Sequence, residues 1–150
     1  MKIVIISGFF NPLHGGHIDL IEAAAKMGDK LVVIVNSDMQ QITKKGKIIL
    51  SEQNRARLLA ALRDVDEVVI AIDKEDPRYP VTETLSMLAD RYPQDELIFA
   101  NGGDRVDPEA IPGPEAAMCR TRGIQMIFGV GGVEKADSST RINQALGHKK

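Results

Sequence analysis

Two runs of apolar residues limit the possible folds most strongly. Lys2 to Ser7 (KIVIIS) and Lys30 to Asn36 (KLVVIVN) place apolar residues in succession rather than in alternation with polar ones. Such strands are buried on both faces, which is typical of a parallel sheet covered by helices. Three further short runs predict strands at Asp66 to Ile72, Glu96 to Ala100 and Ile124 to Phe128.

Helical spacing of apolar residues separates these strands. It predicts helices at Gly16 to Met27, Ser51 to Leu62, Val81 to Tyr92, Glu115 to Arg122 and Ser138 to Leu146. Gly28 is a plausible stop for the first helix, and Leu58, Leu59 and Leu62 are expected on the core face of the second. The alternation predicts an α/β fold: a Rossmann-like, doubly wound, five-stranded parallel sheet with helices on both faces. We expect a single domain over residues 1–150, with a C-terminal helix and a frayed tail in 142–150.

Composition narrows the possible partners and the compartment. The net charge of −2 gives no electrostatic reason to expect nucleic acid or an anionic membrane as partner. Cys119 is the only cysteine, so an intramolecular disulfide is impossible and a reducing cytoplasm is the simplest location. The apolar start MKIVIIS is too short for a signal sequence, and no run approaches the ~20 residues of a membrane span.

The loop after the first strand, GFFNPLHGGH, carries the strongest chemical signal. A helix is expected to begin between His14 and His17, which places both imidazoles at a helix N-terminus that favours phosphate. Alternative interpretations are half of a zinc site, for which only Cys119 and His148 could add soft ligands, or two structural histidines. Phe9 or Phe10 is expected to pack in the core.

A second signal is the sequence SSTR at the start of the last predicted helix. Hydroxyl and N–H groups at a helix start can hold phosphate oxygens, although serine there is usually only a cap. GFFNPLHGGH and ADSSTRI together resemble the GxFDxxHxGH and ISSTR-type motifs of the cytidylyltransferase-like superfamily of nucleotidyltransferases. The first motif matches at Gly8, Phe10, His14, Gly16 and His17, and Asn11 replaces the usual Asp.

The remaining candidate residues lie in the loops after the other strands. Lys44, Lys45 and Lys47 are either solvated surface or, beside a phosphate site, a source of neutralising charge. Arg55 and Arg63 are eight residues apart and are expected roughly on one helix face, where the alternatives are that one contacts an acceptor phosphate or that either pairs with Asp64 or Glu67. Glycines after the fourth strand would let a base or ribose lie against the backbone.

The resemblance implies in-line nucleotidyl transfer with release of pyrophosphate. In that scheme the catalytic residues are His14, His17 and a loop lysine, Lys44 or Lys47. The residues implied to bind the nucleotide are Gly8, Phe9, Phe10, Asn11, Gly16, Gly102, Asp104, Ser138, Ser139 and Thr140. Those implied to bind the acceptor are Asp38, Arg55, Arg63 and Arg105. Mg²⁺ is expected to come with the nucleoside triphosphate, with few or no protein carboxylates as ligands.

The substrates stay open at this stage. The segment GGDRVDPEAIPG resembles the corresponding loop of heptose 1-phosphate adenylyltransferases, which favours ATP and a sugar 1-phosphate. Glycerol 3-phosphate cytidylyltransferases are similar in layout, and CTP with a polyol phosphate is the alternative. A different class is a nucleotide-binding module without catalysis. An oxidoreductase is disfavoured because the first loop lacks GxGxxG. A homodimer is compatible with the resemblance.

Overall fold

Strands and helices alternate along the computed structural model, which describes residues 1–10, 13–40, 50–73, 81–102 and 113–131. The strands are β1 (Lys2–Gly8), β2 (Lys30–Val35), β3 (Glu67–Ile70), β4 (Glu96–Gly102) and β5 (Gln125–Val130). The helices are α1 (Gly15–Ala25), α2 (Glu52–Ala60), α3 (Thr82–Arg91) and α4 (Gly113–Arg122). No helix in these ranges is long and apolar enough to cross a lipid bilayer. The predicted helix at Ser138 to Leu146 lies outside the described residues.

The strands form one parallel sheet in the order β3-β2-β1-β4-β5, which confirms the predicted doubly wound α/β architecture. β1 is central, and its end pairs with β2 at Gly8 and Val35. The chain winds outward through β2 and β3, then returns to the other side of β1 for β4 and β5. Ligands of open α/β sheets bind beyond the carboxyl ends of the strands at such a reversal. The carboxyl ends of β1 and β4 therefore mark where a site is expected.

Each face of the sheet has its own core, because side chains alternate along the strands. Val4 and Ile6 pack in the core that α1 and α2 cover, whereas Ile3 and Ile5 pack in the core beneath α3 and α4. All four side chains are fully buried. Full burial of one such side chain contributes about 1.5–3 kcal/mol. The unbroken apolar run of β1 is thus explained by helices on both faces.

One predicted core position is wrong. Leu59 is fully buried, but Leu58 is 45% exposed. Successive residues of a helix lie about 100° apart, so neighbouring leucines cannot both occupy the centre of a buried stripe. Here the stripe of α2 holds Leu59 and, one turn earlier, the side chain of Arg55.

Gly28 follows α1 for a reason other than the helix end. A Cβ atom there would lie 2.8 Å from the carbonyl oxygen of Lys2 and 2.8 Å from Cγ2 of Val4. A side chain at this position would therefore push the α1–β2 connection away from the start of β1.

Candidate active site

The loop after β1 folds the ring of Phe10 back beneath Gly8. Phe10 has a φ of 52°, in the left-handed region, a conformation that costs a residue with a side chain roughly 1–3 kcal/mol. Its ring is buried in the core beside α1, which confirms the expected core role for one of the two phenylalanines. A Cβ on Gly8 would lie 3.1 Å from Cζ of that ring. Gly8 and Phe10 therefore fix the start of the loop together.

His14 and His17 cap the N-terminus of α1 reciprocally. Nδ1 of His14 accepts a hydrogen bond from the backbone N–H of Gly16 at 3.1 Å. The backbone N–H of His14 donates to Nδ1 of His17 at 3.2 Å. This is a capping box in which imidazoles take the places of the usual hydroxyl and carboxamide groups. The helix begins at Gly15, between the two histidines, as the sequence predicted.

Ring contacts hold the two imidazoles in one orientation. The rings of His14 and His17 stack with centroids 3.8 Å apart and planes inclined by 25°. Phe10 meets His17 edge to face, with ring centroids 4.8 Å apart. Phe10, with its backbone in the left-handed region, therefore packs directly against the ring of His17.

The capping bonds also decide which ring nitrogen carries the proton. A nitrogen that accepts a backbone N–H carries no proton itself, so each neutral imidazole has its proton on Nε2. Both rings are half-buried at the positive end of the α1 dipole. The arrangement combines two N–H donors with a helix N-terminus, which suits an anion such as phosphate.

The loop after β2 is built on buried amides. The backbone N–H of Asn36 donates to the carbonyl oxygen of Gly8 at 2.9 Å, which joins the ends of β1 and β2. Oε1 of Gln40 accepts from the N–H of Ser37 at 2.9 Å and from Nδ2 of Asn36 at 3.2 Å. Sequence reasoning missed Gln40, although an amide four residues after Asn36, in a turn that follows a buried strand, is a signal for such a bond.

Arg55 is fully buried and bonds protein groups through all three of its nitrogens. Nη2 contacts Oδ1 of Asp38 at 2.6 Å, and Nε donates to the carbonyl oxygen of Leu50 at 2.9 Å. Nη1 donates to the carbonyl oxygens of Phe9 at 2.7 Å and Asn36 at 2.8 Å. The partner carboxylate is thus Asp38, not Asp64 or Glu67 as the sequence alternatives had it.

Arg55 does not pair with Glu67 because the two residues lie at opposite edges of the sheet. Glu67 begins β3 at the amino edge, where it bonds Lys30 and Arg91. Arg55 lies at the opposite, carboxyl edge. Arg63 does not share its face: it is exposed and follows the end of α2 at Ala60. Binding of an acceptor by Arg63 stays a prediction.

The other predicted site residues divide between the described and undescribed parts of the chain. Gly16 is buried in the first turn of α1, and Gly102 ends β4 at the same edge of the sheet as Gly8. The remaining ones lie outside the described residues: Asn11, Lys44, Lys47, Asp104, Arg105, Ser138, Ser139 and Thr140. Their roles stay predictions.

Cys119 does not belong to this site. It lies in α4, in the core on the opposite face of the sheet from α1, where burial raises the pKa of its thiol to about 12. A protonated, buried thiol is a poor metal ligand and a poor nucleophile. Within residues 1–10, 13–40, 50–73, 81–102 and 113–131, no group of three or more His, Cys, Asp or Glu side chains could hold a metal ion.

A known protein family matches nearly all of the chain. The family described as Cytidylyltransferase-like matches residues 5–144, a span that includes His14, His17 and the SSTR sequence. The chain belongs to the cytidylyltransferase-like family. This confirms the resemblance drawn from the two motifs.

Curated relatives share part of the sequence. A bifunctional protein HldE from Koribacter versatilis is 46% identical over 78 residues, which are 51% of this chain and 16% of that protein. A bifunctional protein HldE from Azorhizobium caulinodans is 34% identical over 123 residues, which are 75% of this chain and 26% of that protein. The match thus spans about a quarter of these relatives' length or less.

A solved structure shares the fold over almost its whole length. It is a lipopolysaccharide core biosynthesis protein from Thermoplasma volcanium, 28% identical with a TM-score of 0.64. The superposition covers 91% of this chain and 99% of that one. The two proteins therefore share an α/β fold over nearly the whole of the solved chain.

Proposed function

We propose that this protein transfers a nucleoside monophosphate from a nucleoside triphosphate to a phosphorylated small metabolite and releases pyrophosphate. The observation that carries the proposal is the histidine pair at the N-terminus of α1. Backbone N–H groups bond both Nδ1 atoms, so each neutral ring carries its proton on Nε2. Family membership supports the same reaction class.

The chemistry needs no general base, because the acceptor phosphate is already ionised at neutral pH. Its oxygen attacks the α-phosphorus in line, a new P–O bond forms, and the bond to the bridging oxygen breaks. That oxygen leaves with its electron pair as part of pyrophosphate. Catalysis is then positioning plus stabilisation of the charge that develops on the α-phosphate. Nε2–H groups of His14 and His17 donate to its oxygens, and one such donor is worth roughly 3–4 kcal/mol.

The rest of the proposed site rests on the motif resemblance. Ser138, Ser139 and Thr140 hold the triphosphate, and Lys44 or Lys47 neutralises its charge. The glycines that end β1 and β4, Gly8 and Gly102, lie at one edge of the sheet, which supports their role in letting the nucleotide approach the backbone.

Mg²⁺ is proposed to enter with the nucleoside triphosphate. Mg²⁺ usually keeps several waters and binds substrate phosphates with one or two carboxylates at most, so we expect the triphosphate to supply its main ligands. When bound, the ion neutralises negative charge on the phosphates.

ATP and a sugar 1-phosphate of the heptose class are the substrates that we propose. The support is the resemblance of GGDRVDPEAIPG to the loop of heptose 1-phosphate adenylyltransferases, together with the similarity to proteins named HldE. A cytoplasmic site of action is part of the proposal, and it rests on the lone cysteine, Cys119, whose thiol is buried.

A substrate panel tests the proposal. Purified protein with Mg²⁺ and each of ATP, CTP, GTP and UTP is combined with heptose 1-phosphate, other sugar 1-phosphates and glycerol 3-phosphate, and pyrophosphate release is followed. The His14→Ala/His17→Ala double variant is the control. Release with ATP and a sugar 1-phosphate, lost in the double variant, is the expected result. Release with CTP and glycerol 3-phosphate would show that these, rather than ATP and a sugar 1-phosphate, are the substrates. Nucleotide binding without pyrophosphate release would favour a non-catalytic module.

A further inference from the structure

Arg55 lies where the loops after β1 and β2 meet. We propose that Arg55 is a positioning residue, whose guanidinium holds these two loops in the relative placement that the histidine pair needs. The inference rests on the proposed function and deepens it. It differs from the sequence expectation, in which Arg55 contacted the acceptor itself.

The guanidinium continues the pairing of β1 and β2 beyond the last strand residues. The ladder ends with the backbone N–H of Asn36 donating to the carbonyl oxygen of Gly8 at 2.9 Å. Nη1 of Arg55 then bridges the carbonyl oxygens of Phe9 and Asn36, at 2.7 Å and 2.8 Å. These two carbonyls follow β1 and β2, so the side chain supplies them with donors just beyond the paired strand residues.

The other two guanidinium nitrogens of Arg55 bond the loop after β2 and the segment before α2. Nη2 pairs with Asp38 at 2.6 Å, and the backbone N–H of Asp38 donates to Oε1 of Glu52 at 2.9 Å. Nε donates to Leu50, whose carbonyl precedes α2. The guanidinium is a rigid plane with donors on three separate nitrogens, whereas a lysine has all its donors on one atom. Lysine can keep the charge pair with Asp38 but cannot reproduce the whole set of bonds.

Arg55 is connected to the imidazole of His17 through Phe9 and Phe10. The carbonyl of Phe9 immediately precedes Phe10, whose ring centroid lies 4.8 Å from that of His17. Among the residues that the structure describes, Arg55 hydrogen-bonds backbone carbonyls and the Asp38 carboxylate rather than either imidazole. A shift of Phe9 therefore reaches His17 through Phe10, and a misplacement of about 1 Å can cost roughly 100-fold in rate.

Arg55→Lys tests the inference, with Arg57→Lys as the matched control because Arg57 is exposed on the same helix. Pyrophosphate release gives kcat and KM, and NMR gives the ring resonances of His14 and His17. We expect Arg55→Lys to lower kcat by about 10- to 100-fold, with a smaller change in KM for the nucleotide, and to shift both rings' resonances. Arg57→Lys should change neither. Unchanged kcat and resonances in a folded but less heat-stable Arg55→Lys protein would reduce Arg55 to a structural role.

Two further arms keep the inference separate from the proposed function. If the wild type releases no pyrophosphate with any substrate pair, the proposed function fails, and the histidine resonances decide the inference: shifted resonances in Arg55→Lys support it and unshifted ones overturn it. If Arg55→Lys does not fold, Glu52→Ala replaces it, since it releases the Asp38 amide and leaves Arg55 in place. A lower kcat with shifted histidine resonances supports the inference, and no change in either overturns it.

Discussion

His17 accepts a capping hydrogen bond at the start of α1 and is proposed to donate to the α-phosphate, and two substitutions separate these roles. In His17→Ala the backbone N–H of His14 loses the acceptor that it now has at 3.2 Å. Loss of a helix cap costs about 1 kcal/mol, and loss of the edge-to-face contact with Phe10 adds roughly 0.5–1.5 kcal/mol. In a domain of this size each kcal/mol lowers Tm by about 2–4 °C. Removal of one donor to the α-phosphate should lower kcat by about 100-fold or more.

His17→Glu restores the cap without a donor, because a glutamate at the third helical position accepts the backbone N–H in a capping box and an ionised carboxylate has no proton to donate. We expect Tm to recover by about 2–4 °C relative to His17→Ala, while kcat stays about 100-fold below the wild type. Thermal unfolding followed by circular dichroism and pyrophosphate release measure the two effects. Recovery of activity together with stability in His17→Glu would show that His17 acts only as a cap, and the assigned donor role would be refuted.

Three further predictions follow from the structure. Gly8→Ala places a Cβ 3.1 Å from the ring of Phe10, so we expect a lower Tm and lower activity, measured by the same two assays. Burial raises the pKa of Glu67, but the hydrogen bond from Tyr92 and the paired cations outweigh it and hold the pKa below 4.5. Ionised Glu67 therefore stabilises the folded protein fully at pH values above its pKa in the unfolded chain, and this stabilisation is lost as the pH falls through its lower pKa in the folded protein. In Glu67→Gln the free energy of unfolding should therefore fall less steeply with decreasing pH. An equal decrease of the free energy of unfolding at low pH in the wild type and in Glu67→Gln would contradict this. Cys119, with a pKa raised to about 12 by burial, should resist iodoacetamide at pH 8 until the protein unfolds, as measured by mass spectrometry; rapid labelling of the native protein would contradict its burial.

The fold was predictable because its signals are local and agree with one another. The unbroken apolar run from Ile3 to Ile6 indicated a strand covered on both faces, and the structure buries all four side chains under helices on opposite faces. The Gly28 position shows the limit of a local signal. Its place in the sequence predicts a helix stop, but the close approach of the Lys2 carbonyl requires the glycine, and only the packed structure brings those segments together.

The histidine pair was predictable from spacing and resemblance, whereas its support was not. Nothing in the sequence states that Phe10 adopts a positive φ and braces His17, because that depends on the space beside Gly8. Arg55 pairs with Asp38 rather than with Asp64 or Glu67, one of the two alternatives that the sequence left open. Its burial follows from backbone carbonyls at the ends of β1 and β2, which sequence patterns do not reveal.

The proposed reaction transfers the AMP group of ATP, attached through its α-phosphate, to a phosphorylated acceptor, and the position of a ³²P label in ATP tests it most directly. The protein is incubated with Mg²⁺ and heptose 1-phosphate, and with ATP labelled with ³²P at either the α or the γ position. The account predicts that the α label appears in a nucleotide–sugar product and the γ label in pyrophosphate. The γ label in the sugar product, or in inorganic phosphate with ADP left behind, would show a kinase or a hydrolase and would contradict the account.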